Sequence, residues 1–223
     1  MKNNLQKNAF LEFEANNWFD RNKYAILNFD KNIDPVNCLL KKYNIIPENV
    51  LEIGSSAGYR LDGIKNDFPK STVFGIDPSK SAINWGKKKY KDINLEIGTS
   101  DDLSNYSDDS MDLVIVGFVF YVVDRNLLFK TVNEINRVLK DGGYIILIDF
   151  YSGKTSQNNY HHIKGLEAFT YKQKYHELFT SSNTYFLMDF ETRNHDKIDS
   201  KLDNKLSSLY CTAMLKKDLN EGY

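Results

Sequence analysis

The segment VLEIGSSAGYR, residues 50–60, decides the fold: an apolar run reaches an acidic residue and then a turn of small residues between two glycines. Gly54 and Gly58 let the backbone turn tightly and approach a ligand closely. Glu52 stands just before this turn, where a buried carboxylate without a partner is costly. We therefore expect Glu52 to meet a partner, and the following helix to point its N-terminus at an electron-rich group.

Short apolar runs alternate with amphipathic stretches from about residue 49 to 150, a pattern typical of a parallel sheet that is covered on both faces. This alternation predicts a Rossmann-like, doubly wound α/β sheet, and the glycines of LKDGGY are expected to end its last helix. Two later strands predict an antiparallel C-terminal edge, giving about seven strands in all. The predicted strands are NVLEI, TVFGI, INLEI, MDLVIVGF and YIILIDF, then TYFLMDFET and LSSLYCTAMLKK.

The 223 residues predict a single domain with three parts. Residues 1–46 are expected to form a helical N-terminal lid, and residues 47–150 the cofactor-binding core. Residues 151–223 are expected to supply the segment around the acceptor pocket, as loop and then helix, followed by the last two strands.

Composition narrows the classes of function. The formal net charge of −1 gives no electrostatic reason to bind nucleic acid or an anionic membrane. The apolar runs are shorter than the roughly 20 residues of a membrane helix. The first residues lack the apolar core of a signal peptide. Cys38 and Cys211 fit no metal or redox spacing. We expect a reduced, cytoplasmic monomer or homodimer that binds a small molecule, and neither nucleic acid nor membrane.

A second acid, Asp77, ends the second predicted strand 23 residues after Gly54, a position suited to accept hydrogen bonds from a ribose. The dinucleotide fingerprint requires glycine where this chain has Ser56, which disfavours NAD. The Glu52 carboxylate would repel phosphates but attract an amino group. Glu52 and Asp77 together suit a ligand with an amine at one end and a ribose in the middle, and S-adenosylmethionine fits this pattern better than NAD.

Five segments in order resemble the class I S-adenosylmethionine-dependent methyltransferases: VLEIGSSAG, VFGIDPS, LEIGTSDDL, SMDLVIVGFVFYVV and INRVLKDGGYIILIDF. The resemblance implies S-adenosylmethionine as cofactor and S-adenosylhomocysteine as product. It implies residues that bind the methionine end, the ribose and the adenine, and residues that border the methyl group, in that order along the chain. The residues so implied are Glu52, Gly54, Ser55, Ser56, Gly58, Asp77, Pro78, Thr99, Ser100, Asp101, Gly117 and Phe118.

Two positions depart from the family pattern. Ser56 is more often glycine, which tightens the sterics of the turn. Thr99 is often an acid, so the side chain that contacts the adenine amine is left open between Thr99, Ser100 and Asp101.

The segments FEANNWFDRN and YHHIKGLEAFTYKQKY resemble small bacterial methyltransferases of surface-sugar and nonulosonic-acid gene clusters. This second resemblance implies polysaccharide biosynthesis, with a sugar hydroxyl as methyl acceptor. Trp18 or Phe19 is expected to cover the sulfonium, a cation that favours aromatic faces. Arg21 is expected to pair with the methionine carboxylate.

Methyl transfer to a hydroxyl requires removal of a proton. His161 and His162 are the candidate bases, with solvated loop residues as the alternative interpretation, and Tyr160 is a candidate for orienting the acceptor. His176 and His195 are expected at the surface. No metal site is expected, because GFVFY after the fourth strand offers no ligand and Asp149 alone is insufficient for a hard cation.

Other functions remain open at this point. The acceptor alternatives are another small metabolite or a phosphoramidate-type capsule precursor. An NAD(P)-dependent oxidoreductase and a non-catalytic binding module are the alternatives of other classes. A methyltransferase acting on RNA or protein is a further alternative, and the near-zero net charge disfavours RNA.

Overall fold

The computed structural model describes residues 5–163, 168–194 and 209–220. The chain begins with helices, as the sequence predicts. A π-helical turn over Phe10–Glu14 joins the first two of them. Asp34 starts the third helix by accepting a hydrogen bond from the backbone N–H of Val36 over 3.2 Å. These helices are α1 (Leu5–Ala9), α2 (Ala15–Leu27) and α3 (Pro35–Lys42).

Seven strands form one mixed sheet in the order β3-β2-β1-β4-β5-β9-β8. The first five strands run parallel, whereas β9 pairs antiparallel with β5, and β8 pairs antiparallel with β9. The predicted fold class is confirmed: a Rossmann-like sheet, mostly parallel, with an antiparallel C-terminal edge. The strands are β1 (Asn49–Ile53), β2 (Thr72–Asp77), β3 (Asn94–Ile97), β4 (Met111–Gly117), β5 (Leu139–Phe150), β8 (Tyr185–Asn194) and β9 (Leu209–Lys217).

Three helices follow strands of the parallel part: α4 (Tyr59–Asp67), α5 (Lys80–Lys89) and α6 (Leu128–Val138). The glycines of LKDGGY do not end α6, contrary to the prediction, because the helix ends at Val138. They lie in β5 instead, where Gly142 has a φ of +75°. The register between β4 and β5 shifts at this place, so the glycines accommodate an irregularity at the start of a strand.

The segment 151–182 differs from the predicted loop and helix. It contains an antiparallel hairpin of β6 (Ser156–Asn159) and β7 (Phe169–Lys172), followed by the short helix α7 (Glu177–Thr180). The residues between the two strands, 164–167, lie outside the described part of the chain.

Both faces of the large sheet are buried. Successive residues of a strand point to opposite faces, so Val50 packs in one apolar cluster and Leu51 in the other. Helix α6 covers the cluster that contains Leu51, and α3 and α4 cover the cluster that contains Val50. This double burial is the reason that the strands read as nearly continuous apolar runs.

Candidate functional site

A cavity of about 1080 Å³ opens at the carboxyl ends of the parallel strands. Its walls come from the N-terminal helices, the turns after β1, β2 and β4, and the β6–β7 hairpin. In open α/β sheets ligands bind at this edge. Of the predicted site residues, the following line the cavity: Trp18, Arg21, Gly54, Ser56, Asp77, Pro78, Thr99, Ser100, Asp101, Gly117, Phe118, Tyr160, His161 and His162.

The turn after β1 is as tight as its sequence predicts. Gly54 and Gly58 have φ values of +75° and +82°, a region that disfavours side chains. A Cβ atom on Gly54 would lie 2.5 Å from Val119 Cγ2, so the turn also packs closely against the segment after β4. Ser56, which replaces the usual glycine, has a φ of +48°. Ser55 and Gly58 lie behind the cavity wall rather than in it.

Glu52 meets its partner within the chain. It is 1% exposed, and Arg60 Nη1 donates a hydrogen bond to its Oε1. Arg60 Nε donates to Asp34 Oδ2 over 3.0 Å, so one guanidinium joins two buried acids. Burial raises the pKa of Glu52 to about 7, against the opposing effect of Arg60. Of these three residues, Arg60 and Asp34 line the cavity, and Glu52 lies behind them.

Asp77 is placed at the cavity by two backbone hydrogen bonds. Its Oδ2 accepts from Ser56 N and its Oδ1 from Ser79 N, each over 2.8 Å. Burial raises the pKa of Asp77 to about 6, and these two hydrogen bonds oppose the rise. The carboxylate is therefore fixed between the turn after β1 and the start of α5.

The segment after β3 contacts the first helix. Lys7 Nζ lies 2.7 Å from Asp101 Oδ1 and 2.9 Å from Oδ2. Burial acts to raise the pKa of Asp101, but the hydrogen bonds from Lys7 and Thr99 and the charge of Lys7 together lower it. Ser100 Oγ lies 3.2 Å from Thr131 Oγ1 on α6. Lys7 was not among the predicted site residues.

The two aromatic candidates on α2, Trp18 and Phe19, differ in whether they line the cavity. Trp18 lines the cavity, whereas Phe19 is 3% exposed and packs on Trp85 of α5 with ring centroids 5.9 Å apart. The expectation that Phe19 contacts the ligand is corrected on this ground: its ring anchors α2 to α5. Arg21 lines the cavity, and its guanidinium is bound to Glu14.

Tyr160, His161 and His162 lie together in the wall of the cavity. The Tyr160 hydroxyl donates a hydrogen bond to Glu14 Oε1. The two histidine rings have centroids 3.9 Å apart, and both residues are exposed. Partial burial, Arg21 and His161 lower the pKa of His162, which favours its neutral imidazole.

Glu14 and Arg60 are two further site residues that sequence reasoning missed. Glu14 is 2% exposed although it lies within a helical segment at the molecular surface. A signal was present: Phe10, Glu14 and Trp18 recur every four residues, so the acid lies on the aromatic face of the helix. Arg60 follows the glycine turn directly, and the acid before that turn predicted a partner nearby.

Asp149, the residue before the last of β5, does not line the cavity. Its Oδ2 accepts hydrogen bonds from Val119 N over 3.1 Å and Tyr121 N over 3.3 Å. Burial raises its pKa to about 7. The carboxylate therefore holds the short turn after β4, which carries Phe118 with a φ of +53°.

The remaining histidines do not join the site. His176 is 8% exposed, with its ring 4.9 Å from that of Phe190, so the expected surface position is wrong. His195 lies outside the described residues. Across residues 5–163, 168–194 and 209–220, no three His, Cys, Asp or Glu side chains gather as a metal site would require. In the same ranges no helix has the length and apolar character to cross a membrane.

Comparison with known families identifies the core. Residues 51–147 match the family described as "Methyltransferase domain". These residues form a methyltransferase domain. They run from β1 to β5 and include the glycine turn, Asp77 and the segment after β4 that line the cavity.

Relatives and solved structures agree with this. The ubiquinone/menaquinone biosynthesis C-methyltransferase of Geobacter sp. (strain M21) is 32% identical over 109 residues, 45% of each chain. The malonyl-[acyl-carrier protein] O-methyltransferase of Priestia megaterium is 29% identical over 106 residues, 47% of this chain and 37% of that one. The chain thus spans less than half the length of these curated relatives.

A solved structure matches over nearly the whole chain. It is the Burkholderia thailandensis 1,6-didemethyltoxoflavin-N1-methyltransferase with bound 1,6-didemethyltoxoflavin and S-adenosylhomocysteine. The TM-score is 0.69, with 11% identity, covering 96% of this chain and 90% of that one. The match shows the fold. The domain match, in turn, confirms the predicted class, methyltransferase, for residues 51–147.

Proposed function

We propose that the whole protein is a methyltransferase that transfers the methyl group of S-adenosylmethionine to a hydroxyl of a small polar acceptor. The acceptor we favour is a sugar, a sugar nucleotide or a related precursor of a bacterial polysaccharide. One observation carries the proposal: a single cavity connects the turn after β1 and Asp77 with a chamber lined by Tyr160, His161 and His162. When bound, S-adenosylmethionine supplies a methyl group activated by a sulfonium.

The residues present fit the cofactor. Glu52 Oε2 and Ser56 Oγ are buried and have no hydrogen-bond partner within the described part of the chain. Buried polar atoms of this kind call for an explanation. Ser56 lines the cavity, so an amino-acid end that reaches the turn would supply a partner for its Oγ. Asp77 is fixed by the backbone and would accept from the ribose hydroxyls. We assign the adenine to Pro78 and the segment Thr99–Asp101.

The charges of this end favour a cation. Asp34 and Glu52 both pair with one guanidinium, that of Arg60. Asp77 lies near enough to Glu52 to help raise its pKa, so acids outnumber the base. A sulfonium ligand with an ammonium group is attracted by such an excess of acids. Arg21, the predicted partner of the methionine carboxylate, is already engaged by Glu14.

The acceptor chamber combines two kinds of wall. Aromatic rings of Phe118, Tyr121 and Phe150 cover one side, with Phe150 within 5.3 Å of Phe118 and 4.9 Å of Tyr121 between centroids. The hairpin contributes amide, hydroxyl and ammonium groups from Asn158, Asn159, Thr170 and Lys172. A sugar ring matches both walls, because it carries hydroxyls at its rim and C–H groups on its faces.

The N-terminal helices would act as the lid. Lys7 binds Asp101, and the Gln6 side-chain nitrogen donates to Val122 O over 2.7 Å and to Phe169 O over 3.0 Å. These contacts draw α1 across the cavity from the segment after β3 to the hairpin. Trp18 would then cover the sulfonium. We place the protein in the cytoplasm, as a monomer or homodimer that binds no nucleic acid.

A second acceptor class has an observation in its favour. The aromatic side of the chamber suits a planar ring. Two relatives that match the core are named a ubiquinone/menaquinone biosynthesis C-methyltransferase and a demethylmenaquinone methyltransferase. A hydroxylated aromatic ring would stack on Phe118 or Phe150 and present a carbon or an oxygen to the methyl group.

A competition between acceptors tests the proposal. The wild-type protein is incubated with radiolabelled S-adenosylmethionine and sugar nucleotides, monosaccharides, capsule precursors or reduced naphthoquinones in separate reactions. A labelled sugar product supports the sugar proposal, whereas a labelled quinol supports the second class. Product from a different metabolite, with none from these, would refute both. The Asp77→Ala variant is the control, since it should lose the product in every arm.

A further inference from the structure

Glu14 is a buried carboxylate to which the function above gives no role. It ends the π-helical turn Phe10–Glu14, is 2% exposed, and lines the cavity. Turns of this rare kind occur frequently at functional sites. Its Oε1 accepts a hydrogen bond from the Tyr160 hydroxyl, and both carboxylate oxygens accept from the Arg21 guanidinium.

Tyr160 connects Glu14 with the apolar cluster of Tyr121 and Phe118, and Phe118 is the predicted border of the methyl group. Its phenol interacts with that of Tyr121, in the turn after β4 that Asp149 holds. The Tyr160 ring packs on Phe10, with centroids 4.9 Å apart, so Phe10 and Tyr160 hold each other beside the cavity. Three remote parts of the chain thus converge: the π-helical turn, the turn after β4, and the residue that follows β6.

We propose that Tyr160 takes the proton of the acceptor hydroxyl and passes its own proton to Glu14. This inference rests on the proposed function, because it requires a hydroxyl acceptor. As the acceptor oxygen forms its bond to the methyl carbon, the carbon–sulfur bond breaks and leaves its electron pair on sulfur. The acceptor proton moves to the Tyr160 oxygen, and the former phenol proton moves to Glu14 Oε1. The neutral carboxylic acid of Glu14 then returns the proton to solvent.

Arg21 and the aromatic packing prepare this path. Arg21 fixes both oxygens of Glu14, so that Oε1 remains directed at the phenol. Tyr160 is 6% exposed, which keeps bulk water from supplying or accepting the proton in its place. His161 and His162 are exposed, although the ring of His162 lies 5.4 Å from that of Tyr160. The histidines are therefore the rival proton acceptors that the experiment must separate.

Two matched pairs of variants test the proposal. Glu14→Gln keeps the shape but not the proton affinity, and its control is Glu12→Gln, exposed on the same turn. Tyr160→Phe removes one hydroxyl, and its control is Tyr24→Phe, which is 81% exposed. With the acceptor that the competition experiment identifies, we expect kcat to fall about 10²- to 10⁴-fold in Glu14→Gln and Tyr160→Phe. S-adenosylhomocysteine affinity and the acceptor KM should change less than about threefold.

A rescue measurement separates proton transfer from a structural role. Glu14→Ala removes the carboxylate and leaves space for formate, which is expected to restore kcat in proportion to its concentration. A loss of kcat that formate does not restore, together with a lowered melting temperature, would overturn the proposal.

The other outcomes are equally distinct. A kcat near the wild-type value in Glu14→Gln, with the loss found in His161→Ala/His162→Ala instead, would overturn the proposal and leave the proposed function standing. Absence of product from the wild-type protein with every acceptor would overturn the proposed function and this inference together.

Discussion

The backbone N–H of Ser56 donates a 2.8 Å hydrogen bond to Asp77 Oδ2, which joins the turn after β1 to the end of β2. The same carboxylate accepts from Ser79 N, at the start of α5. A single half-buried side chain therefore sets the relative position of two strand ends and one helix. The cavity floor depends on this relationship.

Ser56→Gly should raise stability while it lowers affinity for the cofactor. Ser56 has a φ of +48°, a conformation that costs a non-glycine residue about 1–2 kcal/mol. Its buried hydroxyl, unpartnered within the described residues, costs about 1–3 kcal/mol. Glycine loses more chain entropy on folding, which costs about 0.5–1 kcal/mol. Urea unfolding should therefore show a net increase of about 1 kcal/mol or more in the free energy of unfolding.

The same variant should bind S-adenosylhomocysteine less tightly, because one hydrogen bond is lost. We expect the dissociation constant to rise about 2- to 10-fold. Ser79→Ala is the matched serine control. It removes the helix cap that accepts from Ala82 N over 3.1 Å and should destabilise by about 1 kcal/mol. Destabilisation by Ser56→Gly would show that the turn requires its serine.

Gly86→Ala should destabilise the protein through a clash between α5 and the glycine turn. A Cβ atom on Gly86 would lie 2.2 Å from the carbonyl oxygen of Ala57, a backbone atom that cannot yield as a flexible side chain does. We expect a loss of about 1–3 kcal/mol in urea unfolding. Gly153→Ala, with nothing within 4 Å of its added Cβ, is the control and should change little. Equal stability of the two variants would contradict this close packing.

Asp149 should make stability fall as the pH rises from about 4 to about 7. Burial raises its pKa in the folded protein to about 7, from an ordinary value of 3.8. Between these values the folded state holds a proton that the unfolded state has lost, so unfolding free energy decreases with pH. The slope from this group is at most about 1.4 kcal/mol per pH unit.

Urea unfolding of the wild type and of Asp149→Asn across this pH range measures the effect. The difference between the two free energies cancels the contributions of the other titrating groups. We expect the wild type to lose its advantage over the variant steadily as pH rises. A difference that stays constant, or that grows with pH, would refute the burial effect at Asp149.

Lys7→Met should loosen the N-terminal helices. The Lys7 ammonium contacts both oxygens of Asp101, and its backbone N–H donates to Asp124 Oδ2 over 2.8 Å. Amide hydrogen exchange over residues 5–27 should therefore accelerate in the variant. Lys130→Met is the control, because Lys130 lies 3.8 Å from the same carboxylate and its side chain is 58% exposed. Equal exchange in both variants would contradict a role for Lys7 in holding the lid.

The fold could be predicted from the sequence because the patterns that specify it are local. Strands buried on both faces read as continuous apolar runs, and glycines mark the turn after β1. The β6–β7 hairpin escaped prediction, because Ser156–Asn159 is polar and lacks alternation. Its pairing partner also lies about ten residues away, across a segment without a tight-turn signature.

Site residues could be predicted from the sequence where a single segment supplies them. They could not be predicted where residues from remote segments form a pair. Asp77 and the glycine turn were predicted from their spacing. The pairs Glu14–Tyr160 and Lys7–Asp101 join residues 146 and 94 positions apart, which no local pattern encodes. Trp18 and Phe19 are neighbours in sequence, yet about 100° apart around the helix. Only the docking of α2 on α5 decides which of the two rings faces the cavity.

Calorimetric titration with S-adenosylmethionine and S-adenosylhomocysteine tests the central claim most directly. The wild-type protein, Asp77→Ala and the exposed-site control Asp20→Ala are compared after their folding is checked by circular dichroism. We expect micromolar binding by the wild type and by Asp20→Ala, and its loss in Asp77→Ala. A well-folded wild-type protein that binds neither compound would contradict the claim that this cavity holds the cofactor.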